Sequence, residues 1–197
     1  MTLFIDVDHA ARLFAKVGIR RVIREMATYI EADYSRWAQF DKSPRTASHS
    51  AKGVIELMPT DDGQQYSFKY VNGHPDNGQS NLLTVMAFGV LADVHTGYPT
   101  LLSELTLTTA VRTAATSALV AQSLARPGAS IMALIGNGAQ SEFQALAFHE
   151  MLGISEIRIF DIDRDASLKL KHNLAAFPNI NVIVASSVEA AVKGAHI

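Results

Sequence analysis

Residues 129–141 read Ala129-Ser130-Ile131-Met132-Ala133-Leu134-Ile135-Gly136-Asn137-Gly138-Ala139-Gln140-Ser141. The apolar part predicts a short buried strand that ends in a glycine turn, and residues 142–152 predict a helix that follows at once. Glycines let a backbone approach a phosphate closely, and the free N–H groups of a helix's first turn point at such an anion. This stretch therefore predicts a phosphate-binding turn that contains Gly136 and Gly138.

An acidic residue ends the next apolar run. Asp161 lies 25 positions after Gly136, close to the roughly 20 positions at which dinucleotide-binding folds place a carboxylate for a ribose hydroxyl. Ser141 stands where the G-x-G-x-x-G pattern has its third glycine. A tight turn without a ligand is the alternative, but the flanking strand, the helix and Asp161 favour a dinucleotide site.

The composition excludes several classes of protein. Of the 197 residues 48% are hydrophobic and 18% are charged, and the net charge is −2, so binding to nucleic acid or to a membrane surface through bulk charge is not expected. The absence of cysteine excludes disulfides and thiolate metal sites and fits a cytoplasmic location. We see no signal peptide and no apolar run long enough to cross a bilayer, and the seven scattered histidines predict no metal site.

The first 127 residues mix helical and strand periodicities. We expect a strand at 3–7, a helix at 9–17 capped by Asp8, and a helix from 19 to about 37. Strands are expected at 45–50, 53–58, 65–71 and 100–105, with a loop at 72–78 and an apolar run at 82–94. A helix follows at 106–124, and Pro127-Gly128 marks a domain boundary.

Strands and helices alternate after the boundary. Strands are predicted at 129–135, 156–161 and 180–185, with helices at 139–152, 163–175 and 187–193. This order predicts parallel strands with right-handed helical crossovers. A complete dinucleotide domain has about six strands. The fold class is therefore α/β, with an N-terminal α+β domain (1–127) followed by an incomplete Rossmann domain with a parallel sheet (128–197).

Four charged residues stand out because their neighbours are apolar or small. Lys69 and Glu56 interrupt predicted strands, Arg45 begins one, and Arg112 lies in the helix at 106–124. A charge buried on such a helix needs an anionic partner, and an arginine fork can hold a carboxylate or phosphate with two hydrogen bonds. The alternative for each is a solvated position.

Several longer motifs follow one another along the chain. They are Arg45-Thr46-Ala47-Ser48-His49-Ser50, Gly53-Val54-Ile55-Glu56-Leu57-Met58-Pro59, Phe68-Lys69-Tyr70-Val71-Asn72-Gly73-His74-Pro75, Ser103-Glu104-Leu105-Thr106, Arg112-Thr113-Ala114-Ala115-Thr116-Ser117 and Ile135-Gly136-Asn137-Gly138-Ala139-Gln140-Ser141. In this order they resemble the ornithine cyclodeaminase/μ-crystallin family, and within it the bacterial ornithine cyclodeaminases. The resemblance extends from the first residues to the last.

This resemblance implies a cytoplasmic homodimer. Residues 1–127 would form a substrate-binding and dimerisation domain with a curved sheet, and residues 128–197 would belong to a Rossmann domain that binds NAD. The implied reaction converts L-ornithine to L-proline and ammonia with catalytic NAD⁺. The α-carbon is oxidised, the δ-amine attacks it, ammonia leaves, and the cyclic imine is reduced again.

The resemblance also implies roles for the isolated charges. Arg45, Lys69 and Arg112 would hold the substrate α-carboxylate. Lys69 and Glu56 would lie near the reacting amines and carry catalytic roles.

Cofactor contacts follow from the same resemblance. Thr84 and Arg112 would lie near the nicotinamide, Ala139 and Gln140 would form the phosphate-binding turn with its glycines, and Asp161 would bind the adenine ribose hydroxyls. An anionic residue at this last place favours NAD over NADP.

Family members are far longer, and the resemblance places a catalytic aspartate and further nicotinamide contacts beyond residue 197. We therefore expect this chain to be a truncated enzyme that is inactive unless another polypeptide completes it. Two alternatives stay open. One is a related imine reductase or amino-acid dehydrogenase that acts on pyrroline-2-carboxylate or alanine, and the other is a non-catalytic binding protein like μ-crystallin.

Overall fold

The computed structural model describes all residues from 1 to 197 and contains two β-sheets. The first sheet has six strands in the order β1-β6-β5-β4-β3-β2. Only β1 and β6 pair in parallel, and the other neighbours are antiparallel. The strands are β1 (Leu3–Ile5), β2 (Thr46–Ser50), β3 (Gly53–Asp61), β4 (Gln65–Gly73), β5 (Ala87–Asp93) and β6 (Pro99–Glu104).

The second sheet is parallel and has the order β7-β8-β9. It consists of β7 (Ile131–Ile135), β8 (Glu156–Phe160) and β9 (Asn181–Val184), joined by the helices α4 (Ser141–Leu152) and α5 (Arg164–Leu174). After α6 (Val188–Val192), the N–H of His196 donates to the carbonyl of Ile131, and the N–H of Ala133 donates to the carbonyl of Ile197. The final residues thus line the edge of β7 that β8 leaves open. The chain has thus moved from the β8 side of β7 to its opposite side. Such a reversal at β7 is the switch point of a doubly wound sheet, and it confirms the α/β class.

The chain forms two compact units, one of residues 1–17 and 32–109 and one of residues 18–31 and 110–197. The division falls inside α2 (Ile19–Ser35) and α3 (Thr106–Leu124) rather than after residue 127. In the second unit, Ala27 and Ile30 of α2 form one apolar cluster with Ala115 of α3, and Met151 of α4 packs against it. The functional assignment of residues 1–127 and 128–197 stays a prediction.

The structure corrects three details of the sequence-based elements. Helix α1 (Val7–Val17) begins before Asp8, and its first turn is capped by Asp6, whose Oδ1 accepts the N–H of His9 at 2.8 Å. The segment 72–78, predicted as a loop, has regular secondary structure over most of its length. Strand β4 extends to Gly73, and a 3₁₀ helix covers Pro75–Ser80. The apolar run at 82–94 becomes a strand only from Ala87 onward.

The two faces of the first sheet differ in character. The cross-strand pairs Glu56–Val71 and Met58–Lys69 put Glu56 and Lys69 on the same face, which we call the charged face. The opposite face, here the aromatic face, carries Tyr66, Phe68, Tyr70 and Phe88. The rings of Tyr70 and Phe88 stack with their centroids 5.0 Å apart, and Phe88 is still 41% exposed.

At Gly53 the strand β3 lies too close to the end of β4 to leave room for a side chain. A Cβ atom there would lie 2.1 Å from the carbonyl oxygen of Gly73 and 2.9 Å from Cγ of His74. Gly53→Ala should lower the free energy of unfolding by about 3 kcal/mol or more, since backbone must move in addition to the strain of a positive φ. Urea unfolding monitored by circular dichroism measures this loss.

Gly63→Ala is the matched control. Gly63 also has a positive φ, of +82°, but a Cβ atom there meets nothing within 4 Å. Gly63→Ala should lower the free energy of unfolding by about 1–2 kcal/mol, which is the cost of the backbone conformation alone. If both variants lose the same free energy of unfolding, the close approach of Gly53 to Gly73 and His74 does not contribute to the effect of Gly53→Ala.

Candidate functional site

The glycine turn joins the end of β7 to the start of α4. Gly136 has φ +89°, a conformation that favours glycine. Ser141 is buried, and its hydroxyl donates to the carbonyl of Gly138 at 2.6 Å. Gln140, before the first residue of α4, provides no side-chain cap. The N–H of Ser141 already donates to the carbonyl of Gly138 at 3.0 Å. The next N–H groups of the first turn, those of Glu142 and Phe143, are therefore the ones that suit an anion.

Asp161 follows β8, the strand beside β7. Its Oδ2 accepts the N–H of Asn137 at 2.6 Å, and its Oδ1 accepts the N–H of Asp163 at 2.8 Å. These bonds, led by that from Asn137, lower the pKa of the Asp161 carboxyl. Since the folded-state pKa is the lower one, the resulting stabilisation is present at neutral pH and is lost as the pH falls through it. An ionised carboxylate thus lies directly against the glycine turn.

The charged face of the first sheet brings together three of the predicted substrate residues. Arg45 precedes β2, and its Nη1 lies 3.5 Å from Oε1 of Glu56 on β3. Lys69, on β4, shares that face. The side chain of Arg45 is 64% exposed and that of Glu56 is 24% exposed, so water screens this ion pair and its contribution to stability is small. A ligand carboxylate can therefore compete with Glu56 for Arg45.

Thr84 lies in the loop before β5, where two hydrogen bonds hold the loop against the end of β4. The carbonyl of Thr84 accepts the N–H of His74 at 2.9 Å. Two residues later, the N–H of Met86 donates to Oδ1 of Asn72 at 2.7 Å. The position of Thr84 is thus defined by the first unit, while its predicted contact with nicotinamide stays a prediction.

Arg112 occupies the solvated position that the sequence left open as the alternative. It is exposed on α3, and the buried positions are its neighbours Val111, Ala114 and Ala115. An exposed guanidinium has no burial cost to offset, so an anionic partner is not required for folding. Its predicted contacts with substrate and cofactor are untested by the structure.

The predicted residues divide between the two compact units. Arg45, Glu56, Lys69 and Thr84 belong to the first unit, and the second contains the others, which are Arg112, Gly136, Gly138, Ala139, Gln140 and Asp161. Sequence reasoning missed Asn137 and Ser167, which are both buried beside the glycine turn. The signal for Asn137 was its place between the two glycines, but Ser167 gave no signal.

Two general features of the structure bear on the site. No group of three or more histidine, aspartate or glutamate side chains is arranged to hold a metal ion. None of the helices combines the length and the apolar character that a membrane crossing needs.

Comparison with known proteins agrees with this geometry. An ornithine cyclodeaminase of Agrobacterium tumefaciens (strain Ach5) is 57% identical over 194 residues, which cover 98% of this chain and 54% of that protein. The chain therefore spans about half the length of the curated relatives that it matches.

Solved structures share the fold. The Δ1-pyrroline-2-carboxylate reductase of Thermococcus litoralis, in complex with NADH and L-proline, superposes with a TM-score of 0.87 at 26% identity, over 99% of this chain and 60% of that one. An archaeal alanine dehydrogenase dimer with bound NAD gives a TM-score of 0.80 at 27% identity, over 96% and 57%. Both neighbours hold the cofactor that the sequence predicted.

The sequence profile of the ornithine cyclodeaminase/mu-crystallin family matches residues 7–197, which is nearly the whole chain. The glycine turn with its carboxylate and the charged face both fall within the matched range. The chain belongs to the ornithine cyclodeaminase/mu-crystallin family.

Proposed function

We propose that this chain provides substrate-binding and cofactor-binding parts of an ornithine cyclodeaminase, which converts L-ornithine to L-proline and ammonia with NAD. The observation that carries the proposal is the charged face, where an arginine, a lysine and a glutamate share one side of a sheet. Support comes from the 57% identity to a protein named ornithine cyclodeaminase.

The charges of ornithine match those of the charged face. At neutral pH the substrate carries one carboxylate and two ammonium groups. Arg45 can hold the carboxylate through two parallel hydrogen bonds, with Lys69 and Arg112 as further cations. Glu56 then loses its ion pair with Arg45 and becomes available to the distal ammonium. The substrate thus exchanges the Arg45–Glu56 pair for two new pairs.

The residues of the second unit fit NAD. Gly136, Gly138, Ala139, Gln140 and the first turn of α4 would bind the pyrophosphate, and Asp161 would accept hydrogen bonds from the adenine ribose. Thr84 and Arg112 are proposed to lie at the nicotinamide. Bound NAD supplies the oxidation of the substrate α-carbon and the later reduction of the cyclic imine.

The protein's own groups have to move protons around that redox chemistry. The α-amine must lose a proton as the imino acid forms, and the δ-ammonium must lose one before it can attack. We assign these transfers to Lys69 and Glu56, whose side chains share the charged face. Positioned acid–base groups of this kind contribute about 10²–10⁴ in rate.

The aromatic face favours a homodimer. Leu57 and Phe88 are each 41% exposed on it, and an exposed apolar patch of this kind marks an interaction surface. The archaeal alanine dehydrogenase with the same fold is described as a dimer. A second copy of this chain is the proposed partner, in the cytoplasm where NAD is available.

A second candidate is an imine reductase that acts on pyrroline-2-carboxylate. The neighbour with bound NADH and L-proline supports it, because a cyclic imino acid has the same carboxylate for Arg45 and Lys69. A cyclic imino acid has no distal ammonium, so Glu56 would have no ammonium to bind in a reductase.

A turnover assay separates the two candidates. Once a polypeptide supplies the remaining half of the relatives' length, the protein with L-ornithine and NAD⁺ should form proline and ammonia in equal amounts without net accumulation of NADH, because the electrons return to the product. The 197-residue chain alone should show no turnover. The assay follows ammonia enzymatically and NADH at 340 nm. Consumption of NADH with pyrroline-2-carboxylate, in a protein that leaves ornithine unchanged, would establish the reductase instead.

The role of Glu56 has its own test. In the completed enzyme, Glu56→Gln should raise the KM for ornithine about 10- to 100-fold, because a hydrogen bond to a charged group contributes about 1.5–3 kcal/mol. It should also lower kcat, because Glu56 is assigned a proton transfer. Arg45→Ala is the matched comparison, since it should weaken every substrate that has a carboxylate. If Glu56→Gln leaves the KM unchanged, the distal ammonium does not bind at this residue.

Dimer formation is tested by a charge on the aromatic face. Phe88→Glu should shift the protein from dimer to monomer in analytical ultracentrifugation, because a carboxylate would be buried among aromatic rings without a partner. Tyr29→Glu is the control, since Tyr29 is 67% exposed on α2 and belongs to the other compact unit. A dimer that survives Phe88→Glu would require another interface.

A further inference from the structure

Asn137, between the two glycines of the turn, is only 6% exposed. A buried amide destabilises a fold unless its donors and acceptors are paired. Its Nδ2 donates to the carbonyl of Leu134, at 3.3 Å, and its Oδ1 lies 2.7 Å from the hydroxyl of Ser167 on α5. Ser167 is itself 1% exposed, so this contact is sealed from water.

The direction of these bonds is fixed by chemistry. A carbonyl only accepts, so the amide nitrogen of Asn137 must face Leu134, and the amide oxygen must face Ser167. The hydroxyl of Ser167 is therefore the donor. Strand β7 and helix α5 thus hold the two ends of one side-chain amide, and no other orientation of that amide satisfies both contacts.

The clamped side chain also fixes the backbone of the turn. The N–H of Asn137 points at Asp161 and donates to its Oδ2 at 2.6 Å, while the N–H of Asp163 donates to the other oxygen. The carboxylate is therefore held from two sides. The two carboxylate oxygens have four lone pairs between them, more than the backbone N–H groups occupy, so the carboxylate can still accept from a ribose hydroxyl.

We propose that Asn137 and Ser167 are positioning residues that fix the Asp161 carboxylate at the ribose site and thereby set the preference for NAD over NADP. This inference rests on the proposed NAD site. A fixed carboxylate accepts from the ribose hydroxyls of NAD, and it cannot turn away from the additional phosphate of NADP. A carboxylate free to move would bind NAD less well and reject NADP less strongly.

The test compares the affinities of the full chain and its Ser167→Ala variant for NAD⁺ and NADP⁺ by isothermal titration calorimetry. Losing the hydroxyl of Ser167 should weaken NAD⁺ binding about five- to ten-fold, the effect of a neutral hydrogen bond. NADP⁺ binding should stay equal or improve, so the ratio of the two affinities falls. A merely structural role would weaken both cofactors alike.

Ser187→Ala is the matched control. Ser187 is an N-cap in the same unit, where its hydroxyl oxygen accepts the N–H of Ala190, so its loss lowers stability without touching the turn. The affinity ratio should stay at the wild-type value. Ser167→Thr, which keeps a hydroxyl, should restore the ratio that Ser167→Ala loses.

A second measurement needs no cofactor. Carboxyl ¹³C NMR should show that the pKa of Asp161 rises toward its ordinary value in Ser167→Ala, because the turn no longer holds its N–H against the carboxylate. An unchanged pKa together with an unchanged affinity ratio overturns the positioning role. Absence of NAD⁺ binding in the wild-type chain overturns the proposed NAD site instead, and the NMR titration still decides the positioning role.

Discussion

The parallel pairing of β7 with β8 is the interaction on which the cofactor half of the site depends. Ile135 pairs with Phe160, so the two strands end side by side. The N–H of Gly136 then donates to the carbonyl of Phe160 at 2.9 Å, which carries the pairing one residue into the turn. Because both strands end at the same edge of the sheet, local contacts are enough to bring the glycine turn and Asp161 together.

Much of this arrangement could be predicted from the sequence, because its signals are local. Helix α3 was predicted with its observed bounds, Thr106–Leu124, since Thr, Ala and Leu form a run without a breaker. The three parallel strands were found from short apolar runs beside turn residues. Asp161 was found because a βαβ unit has a nearly fixed length between the turn and the acidic residue.

What could not be predicted depends on contacts between distant parts of the chain. Ser167 is an ordinary serine in the pattern of α5, and its importance appears only where the helix lies against Asn137, thirty positions earlier. The cap of α1 was misplaced for a different reason. Asp6 and Asp8 are both suitable capping residues, and composition alone does not distinguish them. The exposure of Arg112 depends on which side of α3 packs inward, and small residues surround it on all sides of the helix.

The first sheet has charged side chains on one face and aromatic side chains on the other, so the register of its strands decides which residues lie on which face. Side chains alternate along a strand, so a slip of one residue in β4 would exchange the faces of Lys69 and Phe68. The aromatic face would then carry a lysine, and the charged face would lose its cation. Gly53 opposes a register that would put another residue in its place, because a Cβ atom there would lie 2.1 Å from the carbonyl oxygen of Gly73. The close packing of this one glycine at the start of β3 thus helps to fix which side chains lie on the charged face and which lie on the aromatic face.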